Sequence, residues 1–125
     1  MKNATKEICV TPEMTAERVG SGLLPVYATP MAAALMEETA CLCIDGLPEG
    51  ETTVGTRLDI QHLKPSAVGE RLTCKAELKE QEGRRYVFDI KIYNSREEVV
   101  ASATHVRAQV TAERFMQKLA ASAAE

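Results

Sequence analysis

The segment from Thr29 to Ile44 constrains the fold most. Thr29 is a residue type that caps helix N-termini, and Pro30 follows at the first helical position, where its missing N–H costs nothing. Gly46, with Pro48 beyond it, stops the helix after about Asp45. On a helical wheel only Glu37, Glu38 and Thr39 are polar between Pro30 and Ile44. A helix that is apolar all round is normally buried all round. One sheet covers one side of it, so a second copy of the chain is expected to cover the rest.

The remainder reads as strands. Residues 6–11 form a short one, and a brief helix is expected over Thr15 to Val19. Residues 53–63 alternate, with Val54, Leu58, Ile60 and His62 on one face and Arg57, Asp59 and Gln61 on the other. Residues 70–80 set Leu72, Cys74, Ala76 and Leu78 against Arg71, Thr73, Lys75, Glu77 and Lys79. Gly83 marks a turn, and residues 85–93 carry Tyr86, Phe88, Ile90 and Ile92 on one face. A polar connection leads to a last strand over 98–110, and a short amphipathic helix follows from Thr111 with Phe115, Met116 and Leu119. Strands joined by short turns are antiparallel, and such a sheet has one face for a helix to cover. The expectation is an α+β domain in which a curved antiparallel sheet wraps one long central helix.

The length of 125 residues suits a single domain over 1–125, with 119–125 as a flexible Ala-rich tail. No apolar run approaches the roughly 20 residues that a membrane span needs. The N-terminus does not read as a secretory signal, so a cytoplasmic, reducing location is expected. There the four cysteines, Cys9, Cys41, Cys43 and Cys74, should be buried free thiols. Their spacing, with His62 and His105 as the only histidines, offers no metal motif. A net charge of −3 without a Lys/Arg stripe argues against a nucleic-acid partner.

Three features stand out chemically. Adjacent carboxylates in an apolar helix are costly, and they point about 100° apart, into different surroundings. One of them as a catalytic group is the functional reading; a narrow solvated strip paired with lysine or arginine is the plain one. His62 shares an apolar strand face, where a histidine is more often a satisfied core residue. Thr29 before proline is accounted for by capping alone. Together they gain meaning, because a strand beneath the helix can bring His62 to the helix start, where a carbonyl oxygen or anion is also welcome.

The stretches "YATPMAAALMEETA", "VGTRLDIQHLKPSAVGE" and "SATHVRAQV" resemble the fluoroacetyl-CoA thioesterase-like branch of the hot dog superfamily, over roughly Val10 to Phe115. The most specific parts are A-T followed eight residues later by the acid of L-M-E, G-T…H with hydrophobic alternation, and T-H-x-R. The resemblance implies a hot dog fold and a threonine, a glutamate and a histidine acting at a dimer interface. By motif these are Thr29, Glu37 and His62, with Gly55 and Arg107 near the acyl group. Glu38 is an extra acid where the branch carries an apolar or small residue. The aromatic lid residue of the fluoroacetyl-specific enzyme has no match in "GLLPVYA". The resemblance therefore implies the thioesterase scaffold and not fluoroacetyl specificity.

The implied reaction is hydrolysis of an acyl-CoA to a carboxylic acid and free CoA, with no metal or redox cofactor. Glu37 would attack the carbonyl or activate a water, and Thr29 would act as nucleophile or position the carboxylate. His62 would handle the proton of the leaving thiolate. Gly55 would let a ligand approach the strand backbone. The partners implied are an acyl-CoA and a second copy of the chain, with pairing into tetramers left open. The alternatives are a hot dog protein that binds acyl-CoA or another small ligand without turnover, a hydratase or dehydratase on the same fold, and a structural dimer. Thiol release separates the first, and Glu37 substitution the last.

Overall fold

The computed structural model describes residues 2–123. Its central helix, α2 (Thr29–Leu42), lies against one face of a five-stranded antiparallel sheet. The strands are β1 (Asn3–Cys9), β2 (Glu51–His62), β3 (Arg71–Glu82), β4 (Arg85–Tyr93) and β5 (Val99–Thr111), in the order β1-β3-β4-β5-β2. Between β1 and α2 come a 3-10 turn over Pro12–Met14 and a short helix, α1 (Ala16–Val19).

The ends of α2 differ from expectation. Ala28 occupies the capping position, and no side chain caps the helix. Thr29 is therefore its first residue, and its hydroxyl is free for other work. The helix closes at Leu42, three residues short of Asp45, because the Cys43 N–H bonds back to the Ala40 carbonyl and the Ile44 N–H to that of Cys41, which tightens the last turn. Gly46 then supplies a left-handed φ of +68°.

One face of α2 buries Ala32, Leu35, Met36, Thr39 and Ala40. The facing sheet residues are those expected of β3 and β4: Leu72, Cys74, Ala76, Tyr86, Phe88, Ile90 and Ile92. The other side of α2 leaves Ala34, Glu38, Cys41 and Leu42 exposed. That stripe explains one correction. All four cysteines are free, yet only Cys43 and Cys74 are buried. Cys41 sits on the open side of α2, and Cys9 on the outward phase of β1.

A second correction lies in β2. Gly55 pairs with Arg107 and Arg57 with Val106, so Thr56 is an extra residue and the strand is bulged. The bulge resets the alternation. Leu58, Ile60 and His62 face the helix as expected, but before the bulge Thr53 and Gly55 share that face and Val54 does not. The last strand runs without a loop into α3 (Ala112–Ala123). The expected tail over 119–125 is thus helical through Ala123, and Ala124 and Glu125 lie outside the described residues.

Candidate active site

The expected site residues fall into two clusters. The first joins the start of α2 to the end of β2. Thr29 Oγ1 lies 2.7 Å from His62 Nδ1. Tyr27 meets the imidazole edge-on, with ring centroids 6.4 Å apart and planes at 83°. Nε2 of His62 is buried and has no hydrogen-bond partner among the described residues. An unpaired buried nitrogen is costly unless a ligand or water completes it. Burial pushes the His62 pKa below its usual value, partly opposed by the Lys64 backbone. A cleft of about 340 Å³ opens here, lined by Ser21, Val26, Tyr27, Thr29, His62 and Lys64 among others.

The second cluster lies under the bulge. Glu37 Oε2 is 3.4 Å from Arg107 Nη1. A Cβ built on Gly55 would stand 2.7 Å from that same oxygen, so only glycine leaves room for the carboxylate. Arg107 is buried and closely held. Its Nε–H donates to Thr53 Oγ1 at 2.9 Å, Nη2 to the Thr53 carbonyl at 3.0 Å, and Nη1 contacts His105 Nε2 at 3.1 Å. His105 Nδ1 is 2.7 Å from the Arg57 carbonyl. Glu38 points elsewhere and pairs with Lys6 of β1 at 2.7 Å, with its side chain 56% exposed.

Thr53 and His105 were not singled out in the sequence. The bulge hid Thr53, whose apparent phase was outward. His105 stands within "THVR", but its partners come from β2 and from a neighbour on its own strand, and no local pattern announces them.

Within one chain the two clusters stay apart. Thr29 and Glu37 are eight residues apart on one helix, or about 12 Å of rise. Gly55 and His62 are seven apart on one strand, or roughly 23 Å if fully extended. Among the described residues no hydrogen bond links Glu37 to Thr29 or His62. Nor do any three His, Cys, Asp or Glu side chains converge as a metal site there. No described helix is long and apolar enough to cross a membrane.

The model of the fluoroacetyl-CoA-specific thioesterase family matches residues 10–113. The chain belongs to that family. It is 33% identical over 96 residues to the fluoroacetyl-CoA thioesterase of Streptantibioticus cattleyicolor, covering 75% of this chain and 68% of that one. A crystal structure of a variant fluoroacetyl-CoA-specific thioesterase in complex with fluoroacetate and CoA superposes with a TM-score of 0.85 at 26% identity, covering 91% of this chain and 96% of that one. A hot-dog-like protein from Thermanaerovibrio acidaminovorans shares the fold, with a TM-score of 0.85 at 24% identity over 94% of this chain and 87% of that one. Family membership makes the protein a thioester hydrolase on a hot dog fold.

Proposed function

We propose that the protein is an acyl-CoA thioesterase whose site is completed by two copies of the chain, with Glu37 from one and Thr29 and His62 from the other. One observation carries this reading: the two clusters sit toward opposite ends of β2, an edge strand of 12 residues with one side unpaired. A long open edge is a template for another strand. Antiparallel pairing of β2 with its copy about a twofold axis near Asp59 sets Gly55 opposite the partner subunit's His62. Glu37, seated on Gly55, then approaches the partner's Thr29 and His62. The same pairing brings a second subunit toward the open stripe of α2.

In such a site the Thr29 hydroxyl donates to His62 Nδ1, and Nε2–H faces the substrate. Glu37 attacks the thioester carbonyl, and a water then hydrolyses the mixed anhydride, or Glu37 takes a proton from a water that attacks directly. The C–S bond breaks, and the proton that the water gives up passes through His62 Nε2 to the departing CoA thiolate. Arg107 and the open backbone at Gly55 flank the acyl group. The enzyme is assigned to the cytoplasm, where its free thiols stay reduced, and acts as one domain over its whole length.

The test is a thiol-release screen over short, long and aromatic acyl-CoAs, with wild type and Glu37→Gln side by side. Release by the wild type that the variant loses supports the reading. Tight acyl-CoA binding without release would instead make this a binding protein.

A further inference from the structure

His105 is a buried titratable side chain outside the proposed reacting set. It is 1% exposed, opposite Leu58 on one side and Phe88 on the other. The Phe88 ring packs on it at 6.0 Å, tilted by 31°. Its two nitrogens have fixed partners of opposite kind. A carbonyl oxygen only accepts, so Nδ1 beside the Arg57 carbonyl carries the hydrogen. A guanidinium only donates, so Nε2 beside Arg107 Nη1 must present a lone pair. Both bonds require the neutral Nδ1–H tautomer. Burial holds the ring in that form, the Arg57 carbonyl opposes it, and the Arg107 charge adds to it.

The consequence reaches Glu37. Thr53 takes the Nε–H and one Nη2–H of Arg107, and His105 takes one Nη1–H. The remaining Nη1 hydrogen is thereby aimed at Glu37 Oε2, in the space that Gly55 leaves open. We propose that His105 is a positioning residue: as a neutral acceptor it fixes the Arg107 guanidinium, and through it the Glu37 carboxylate, in the geometry that turnover needs. This rests on the proposed role of Glu37, and it adds a residue that never meets the substrate.

Two substitutions separate the ring's two bonds. His105→Gln can place an acceptor where Nε2 was, keeping the bond from Arg107 and losing the donor to Arg57. His105→Asn keeps a donor near the Nδ1 position and loses the acceptor. A merely structural histidine predicts that activity follows folded fraction in both. Positioning predicts that, per folded dimer, kcat falls about 10²-fold in His105→Asn, the size expected of an ångström's misplacement. KM should change far less, and His105→Gln should recover at least about tenfold of the lost kcat, part of that same misplacement. Nitrogen NMR of the wild type should show Nδ1 protonated and Nε2 bare, with separate signals for the Arg107 Nη hydrogens that collapse in His105→Asn. Equal turnover in Asn and Gln variants, or an Nε2–H tautomer, overturns the inference. A protein with the Nδ1–H signature and the Arg107 collapse but no thiol release on any thioester would refute the proposed function and leave His105 as the anchor of Arg107.

Discussion

Glu37 and Glu38 are neighbours in sequence, but the helix turns them into different surroundings. Glu38 meets Lys6 on a solvated flank, and Glu37 meets Arg107 beneath a glycine. Glu37→Gln keeps the shape and removes the charge, so thiol release should be abolished, while Glu38→Gln should leave most of it. A kinetic assay of both variants on one acyl-CoA checks this, and the reverse result would move the carboxylate role to Glu38. His62 invites a parallel comparison. His62→Ala should stay folded and lose roughly 10²–10⁴-fold in kcat, the range of a general acid–base residue. The folded protein itself should depend on pH through both histidines. Burial lowers their pKa values in the folded state, so the unfolded chain binds more protons on the acid side. Their contribution is whole above the ordinary histidine value of about 6.5, and it fades as pH falls from there towards the folded values. Urea midpoints should therefore drop between pH 7.5 and 5.5. A midpoint that rises on acidification would contradict the burial of these rings.

At the scale of elements, the sequence was legible where the period ran unbroken. In β3, up to its own bulge at Lys79, and in β4 the alternation named the inward faces correctly, because each inward apolar residue there packs on α2 or beside it. Phe88 is the largest of the fully buried side chains, and Phe88→Ala should cost about 3–5 kcal/mol in a denaturant titration. β2 was half legible. Counting by twos from His62 back to Val54 lands on Thr56, the extra residue, and one extra residue exchanges the faces. Thr53, which holds Arg107, was lost to that count. Gly55 was visible by type, and the space it leaves is now explained by the carboxylate that fills it. Gly55→Ala should therefore lose activity while keeping the strand, since a methyl group there overlaps Glu37 Oε2. The start of α2 was misread for a related reason. Thr29 has the chemistry of a cap, and local rules cannot know that His62, 33 residues on, takes its hydroxyl instead.

At the scale of the whole molecule, the all-round apolar helix raised the expectation of a second copy, and under the proposed function the separation of the clusters gives that copy a chemical task. If Glu37 works with the partner's Thr29 and His62, then two inactive variants should repair one another. A dimer of one Glu37→Gln chain and one His62→Ala chain contains one doubly damaged site. Its other site is intact, because the His62→Ala chain brings Glu37 and the Glu37→Gln chain brings His62. After unfolding and refolding an equal mixture, half of the dimers are mixed and each has one good site of two. The mixture should then recover roughly a quarter of wild-type turnover, as random pairing in a twofold dimer requires. The same variants refolded separately and mixed without exchange should recover nothing. Double-tagged purification of the mixed dimer should raise the recovery to about half, one site of two in each twofold particle. If each chain instead assembled its own site, every site in the mixed dimer would carry one lesion, and the mixture would stay inactive at any ratio. Complementation thus reads the placement of Glu37 relative to His62 directly.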